Sequence, residues 1–145
     1  MSAAAVAGCV MCERVAGQGE LFIADLEVSR AYLNADQFFP GWTFVVLRDH
    51  VTELYDLDGS ARARLMEDVT RVARALAAVY RPLKMNYELL GNEVPHIHWH
   101  LIPRLPGDPA LGGPVWHLEH PPQPLAPAEL RARIVEIRGA LAGAL

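Results

Sequence analysis

The stretch Pro95-His96-Ile97-His98-Trp99-His100-Leu101-Ile102-Pro103 places three of the chain's six histidines in strict alternation with apolar residues. A period of two is that of a β-strand, whose successive side chains leave opposite faces. A strand over His96 to Ile102 therefore turns Ile97, Trp99 and Leu101 to one face and His96, His98 and His100 to the other. Alternate residues on a strand lie about 6.7 Å apart and the outer pair about 13 Å, whereas a zinc–nitrogen bond is about 2.1 Å. His96 and His98 could share an ion by splaying inward, but all three rings cannot converge on one. A row of imidazoles suits an extended anion such as a polyphosphate. A solvated polar stripe explains a lone histidine better than it explains three in alternation.

Outward from this stretch the pattern predicts more strands. Glu20 to Glu27 and Ser29 to Leu33 read as short strands, with Leu21, Ile23, Tyr32 and Leu33 as apolar positions. Asn34 to Gly41 reads as a turn closed by Pro40-Gly41, and Trp42 to Leu47 as a β-branched and aromatic central strand ending at Arg48-Asp49-His50. Met85 to Leu90 is a further strand candidate. From Ser60 to Tyr80, Leu65, Val69, Val72, Leu76 and Val79 recur at three and four among charged residues that include Asp68, which is an amphipathic helix stopped by Pro82. A C-terminal helix is expected over 127–143, with proline in its first turn and a stripe of Leu130, Ile134, Ile137 and Leu141. The proline-rich stretch 104–126 between them is an irregular excursion. Strands joined by turns and carrying two amphipathic helices give the α+β class, in one domain over 1–145 whose first eight residues fray.

The chain has 145 residues, 52% of them hydrophobic, enough for one core. Thirteen basic against seventeen acidic residues give a net charge of -4, with the basic residues scattered. That excludes extended nucleic acid as the expected partner. No run approaches the roughly 20 apolar residues of a membrane span, and the N-terminus lacks the basic and apolar regions of a leader. A cytoplasmic protein without a membrane partner is expected. The two cysteines, Cys9 and Cys12, form a Cys-x-x-Cys pair, which binds metal or does redox chemistry rather than building a disulfide framework. The redox reading wants the pair between a strand and a helix of a parallel sheet, which this pattern does not offer.

His96-Ile97-His98-Trp99-His100-Leu101-Ile102 resembles the signature of the histidine triad (HIT) family at all seven positions. Asn34 before Pro40-Gly41, the strand that follows and its end at Arg48-Asp49-His50 are similar to the family's pattern over about residues 9 to 104. The resemblance implies a five-stranded antiparallel sheet with two helices, paired into a homodimer. It implies a nucleotide hydrolase, acting on a dinucleoside polyphosphate or on a nucleoside phosphoramidate or anhydride, in which His98 attacks the α-phosphorus and forms a nucleotidyl-histidine. His100 and His96 would flank the phosphate, and Asn34 would contact the ribose. Ile97 and His100 place the chain away from the transferase branch. Asn92 stands four residues before the triad, where polyphosphate hydrolases often have glutamine; its shorter amide could still donate to phosphate.

A subset of the family carries a structural zinc, and by that resemblance the ligands here would be Cys9, Cys12, His50 and His96. That is a closed set of two sulfurs and two nitrogens. The competing reading is a metal-free pair of buried thiols. Trp42, Phe44 and Leu47 are expected in the core and Trp116 in a packing role, Phe38 and Phe39 could line a base pocket, Arg104 could meet phosphate, and His117 and His120 receive no role. Two other functions compete with the hydrolase: a nucleotide-binding regulatory or scaffold protein with little turnover, and a hydrolase with an open catalytic zinc.

Overall fold

The computed structural model describes residues 4–143. Five strands form one antiparallel sheet: β1 (Phe22–Asp25), β2 (Ser29–Leu33), β3 (Thr43–Leu47), β4 (Lys84–Glu88) and β5 (His98–Arg104). Their order is β1-β2-β3-β5-β4, so β5 lies inside the sheet between β3 and β4. Three helices accompany it: the short α1 (Val10–Val15), α2 (Gly59–Tyr80) and α3 (Pro127–Gly143). The fold is α+β, as expected, with one helix more than the two predicted. The expectation that 1–8 fray falls partly on positions 1–3, which lie outside the described residues. Residues 6 to 9 close a turn in which Cys9 N–H donates to the Val6 carbonyl, with Gly8 at φ 79°.

The alternation of the strands decides the layering. Ala31, Leu33, Val45 and Leu101 point to the face covered by α2 and α3, where they meet Val69, Val72, Leu76, Ile134 and Ile137 in the main core. Burying each such side chain contributes about 1.5–3 kcal/mol. The opposite face carries Tyr32, Val46, Trp42 and Ile102 in two smaller clusters, covered by α1 and by the proline-rich excursion. A one-residue slip of β5 would exchange the two faces, so the apolar set Trp99 and Leu101 fixes which way His98 and His100 point.

Helix α2 begins at Asp58, whose carboxylate accepts from Ala61 N–H at 2.7 Å, and ends at Arg81 in the left-handed region. Asp68 departs from its expected place on the charged face. It is 1% exposed and accepts from the Glu27 and Val28 N–H groups and the Ser29 hydroxyl, fastening the β1–β2 turn to the helix.

Strand β5 starts two residues after its predicted beginning and ends two after its predicted end. His96 and Ile97 lie just outside β5: the Ile97 carbonyl still accepts from Leu47 N–H at the end of β3, but the Ile97 N–H donates to the Val51 carbonyl in the loop that follows β3. Pro103 is tolerated inside β5 because the pairing with β3 stops at Leu101, so no partner is lost where the proline lacks an N–H. Pro103 packs instead on Gly41, where a β-carbon would come within 2.8 Å of the Pro103 and Tyr80 side chains at φ 88°. Only glycine fits at that turn.

Candidate active site and metal centre

The pairing of β3 with β5 sets Phe44 opposite His100 and Val46 opposite His98. Both histidines stand on the face away from α2 and α3, 6% and 8% exposed, with ring centroids 5.2 Å apart. His98 Nδ1 lies 2.6 Å from the His96 carbonyl. A carbonyl only accepts, so Nδ1 carries the proton and Nε2 of the neutral ring keeps a free lone pair. His100 Nδ1 accepts from the indole N–H of Trp42 at 3.2 Å. Burial, reinforced by repulsion from His98 whenever that ring is protonated, lowers the His100 pKa to about 4.

Two hollows meet at these side chains. The larger, of about 630 Å³, is lined by Asn34, Asp36, Trp42, Phe44, His100 and His120, among others. The smaller, of about 260 Å³, is lined by Asn92, Glu93, Val94, His98 and His100. Trp116 borders both. Its indole N–H donates to Glu88 at 2.6 Å, and its ring stands edge-on to Trp42 and His100 at 5.3 and 5.7 Å. Asn34 and Asn92 therefore line different hollows, which share Trp116 and His100.

The wall of the larger hollow is braced from within its loop. Asn34 Oδ1 accepts from Asp36 N–H, and Asp36 Oδ1 accepts from the N–H groups of Phe38 and Gln123. Buried Gln37 donates to the Asn34 and Trp42 carbonyls and accepts from Gly41 N–H. His120 stacks on Phe38 with centroids 3.8 Å apart and planes at 13°.

Several expected roles change here. Trp42 is core beside Phe39 and Ile102, as expected, and also a wall of the cleft; Phe44, half-buried, is a wall of the cleft, and Leu47 is core beside Leu65 and Ile97. Phe39 is buried among Trp42, Ile102 and Val115, and Phe38 is covered by His120, so neither ring lines the hollow. Arg104 is 2% exposed and fully engaged: it pairs with Asp108 through two hydrogen bonds of 2.7 and 3.1 Å and donates to Asn86 and to the Gly113 and Ala110 carbonyls. It ties the excursion down instead of meeting a phosphate. Trp116 and His120 were invisible as site residues because they lie in irregular chain, where no periodicity reports direction.

His96 faces elsewhere. Its Nε2 lies 2.7 Å from the Leu47 carbonyl and so carries the proton, which leaves the Nδ1 lone pair aimed at the cysteines. Nδ1 is 3.5 Å from both Cys9 Sγ and Cys12 Sγ, and His50 Nδ1 is 3.3 Å from Cys12 Sγ. The four donor atoms all lie within 4.8 Å of one another. A tetrahedral ion with bonds of about 2.3 Å to sulfur and about 2.1 Å to nitrogen sets sulfur–nitrogen edges of about 3.6 Å. The donor set fits such an ion. The surroundings fit as well, because Val6 N–H donates to Cys12 Sγ and Cys12 N–H to Cys9 Sγ, while the Leu47 carbonyl orients His96. Helix α1, which has Cys9 as its N-cap, was missed in the sequence because six residues give no readable period. Both nitrogens of His96 are thus committed away from the hollows, and it is the His96 backbone that serves His98.

The low pKa of His100 has a consequence for stability. The group titrates near 6.5 in the unfolded chain and near 4 in the folded one. Between those values the unfolded chain binds a proton that the folded chain refuses, so stability is complete above pH 6.5 and falls as the pH drops, by up to about 3 kcal/mol at pH 4. Urea denaturation at pH 7 and pH 4.5 checks this. The loss should be visibly smaller in a His100→Gln chain, and equal losses would show that His100 is not its source.

With this geometry in hand, the comparisons are consistent with one another. The HIT domain family model matches residues 18–107. An adenosine 5'-monophosphoramidase of Schizosaccharomyces pombe is 27% identical over 131 residues, 89% of this chain and 95% of that one. The crystal structure of a histidine triad protein from Bradyrhizobium japonicum is 35% identical, with a TM-score of 0.76 over 83% of this chain and 89% of the other. A zinc-bound histidine triad family protein from Mycobacterium smegmatis is 26% identical, with a TM-score of 0.70 over 94% of each chain. The chain belongs to the histidine triad family.

Proposed function

We propose that the protein hydrolyses a phosphoanhydride or phosphoramidate bond at the α-phosphate of a nucleotide derivative, with His98 as the nucleophile. The observation that carries this reading is the 2.6 Å contact between His98 Nδ1 and the His96 carbonyl, which leaves Nε2 unprotonated beside the cleft. Nε2 bonds to phosphorus as the bond to the leaving amine or phosphate breaks, and the leaving group departs with a proton. Water then attacks the nucleotidyl-histidine and releases the nucleoside monophosphate. Covalent capture divides one difficult displacement into two easier ones. The nucleoside occupies the larger hollow, with its ribose against Asn34, and the leaving group occupies the smaller, beside Asn92. The adenosine 5'-monophosphoramidase relative supports a small leaving group of this kind.

Incubation with a panel of adenosine phosphoramidate, diadenosine tetraphosphate and simple nucleotide anhydrides, read by mass spectrometry, tests the reading. Nucleoside monophosphate should form from at least one of them. Tight binding with no product from any would favour the regulatory, non-catalytic alternative.

Zinc at Cys9, Cys12, His50 and His96 is part of the same proposal. The ion would supply a structural cross-link between the N-terminus and the chain entering β5, and with four protein donors it leaves no open position for catalysis. Cys9, Cys12 and His50 would hold it while His96 also presents its carbonyl to His98. The family further suggests a homodimer, and β4 is an edge strand with exposed Tyr87, Leu83 and Leu90 on or beside it. Sedimentation at micromolar concentration should give twice the 16.0 kDa chain mass, and a monomer would refute the dimer. None of the described helices is long and apolar enough to cross a membrane.

A further inference from the structure

We infer that Trp42 is a positioning residue that holds His100 in one tautomer, with its proton on Nε2 as a fixed hydrogen-bond donor for the reacting phosphate. The inference rests on the hydrolase reading above but is decided by an observable of the free protein. An indole N–H donates and never accepts. The Trp42 N–H reaches His100 Nδ1 at 3.2 Å, so Nδ1 must be unprotonated and the ring's single proton must sit on Nε2. The opposite tautomer, or the imidazolium, would set one N–H against another inside a contact that is 6% exposed on one side and 8% on the other.

The indole has little freedom to move away. The backbone of Trp42 is held by Asn34 N–H and Gln37 Nε2 on its carbonyl and by its own N–H on the Phe39 carbonyl. Its ring is held edge-on by Phe39 at 6.3 Å and Trp116 at 5.3 Å. Gly41, which admits no side chain, fixes the turn immediately before it.

The result is two neighbouring imidazoles in opposite tautomers. The His96 carbonyl puts the His98 proton on Nδ1, and the Trp42 indole puts the His100 proton on Nε2. A nucleophile needs a lone pair, whereas the phosphoryl oxygens that gain charge beside it need a donor. Two lone pairs side by side would repel those oxygens. His100 in a free mixture of tautomers would present the donor only part of the time. The charged and titratable groups around His100 are His98 on its own strand, Glu88 opposite it on β4, Asp36, Glu119 and His120 around the larger hollow, and Glu93 in the smaller one. Glu88 is engaged by the Trp116 indole, and Trp42 just before β3 and Phe44 on it bring no charge, so none of the hydrogen bonds described competes with Trp42 for Nδ1.

The test is nitrogen-15 NMR of the histidine rings in the ligand-free protein, combined with pH–rate profiles. Wild type should show His100 with protonated Nε2 and bare Nδ1 from pH 5 to 8. Trp42→Phe keeps an aromatic ring but removes the donor. It should give mixed His100 tautomers, an upward shift of the His100 titration, and at least about a tenfold fall in kcat with KM little changed. Phe39→Leu disturbs the same aromatic cluster without touching the donor, and should lower stability while leaving the His100 tautomer and the pH profile in place. A proton on His100 Nδ1 in wild type would overturn the inference. So would an unchanged tautomer in Trp42→Phe, or the same tautomer change in Phe39→Leu. If the NMR result is as expected and no substrate is turned over, the hydrolase reading fails while the tautomer assignment stands. If turnover is present and Trp42→Phe leaves it unchanged, the positioning role fails alone.

Discussion

Replacing His98 by glycine or asparagine is expected to abolish turnover, lowering kcat by about 10⁴-fold or more, while nucleotide affinity stays nearly intact. The asymmetry follows from what each group does in the proposed reaction. Asn34, Asp36 and the rings around the larger hollow offer contacts that do not change as phosphorus is attacked, and such contacts set affinity. Nε2 of His98 contributes only when the new bond forms. His100→Asn should behave differently, slowing the reaction without preventing attack, because His100 meets developing charge and does not bond to phosphorus. Isothermal titration with a non-hydrolysable nucleotide, beside steady-state rates, separates the two. Full activity in the His98 variant would end the covalent account, and lost binding would mean that its ring shapes the pocket instead.

The second large effect concerns the metal centre. Protein purified without chelator should contain about one zinc per chain, and Cys12→Ser should lose most of it together with at least about 3 kcal/mol of stability, because structural zinc contributes folding free energy directly. For a chain of this size that is a fall of roughly 6–12 °C in Tm. Burial pushes the Cys12 thiol pKa up, so an ion is needed to make it a thiolate, and without one the cluster is two buried thiols and two imidazoles. Cys9 caps α1 and Cys12 lies in its first turn, and an ion held by the four donors would join that turn to the loop after β3 and to the residue before Ile97. Stability should therefore fall to a similar extent when wild type is stripped by chelator. Metal analysis showing no zinc in freshly purified protein, or an unchanged Tm in Cys12→Ser, would refute the structural role.

The parts of this arrangement legible in the sequence are those written in a period. The alternation around Trp99 and Leu101 told which way His98 and His100 face, and the three-four spacing of Leu65, Val69, Val72 and Leu76 told which side of α2 is buried. What the period could not tell was where the ladder ends. His96 continues the alternation in sequence but sits outside the strand: the Ile97 N–H turns to the Val51 carbonyl in the loop after β3, and the His96 ring turns to the cysteines. Aromatic residues misled in the other direction. Trp42 reads as core by composition, and only the position of its N–H against His100 shows that its polar edge matters. Arg104 next to the triad could meet phosphate as far as the sequence goes, but Asp108, four residues on, takes its Nε and Nη2 groups. Trp116 and His120 reach the cleft through a proline-rich path whose course depends on that buried ion pair, and no local pattern encodes it.

The central claim is that the phosphoryl group passes through a bond to His98 Nε2. The direct measurement is rapid quenching with a nucleotide that carries a good leaving group, followed by digestion and mass mapping of the peptide that contains residues 96–100. The account predicts a nucleotidyl mass on His98 in wild type, on His98 and more slowly formed in His100→Asn, and on no histidine in His98→Gly. An adduct on His96 or His100 in the wild-type protein, or steady turnover with no adduct at any quench time, would contradict it.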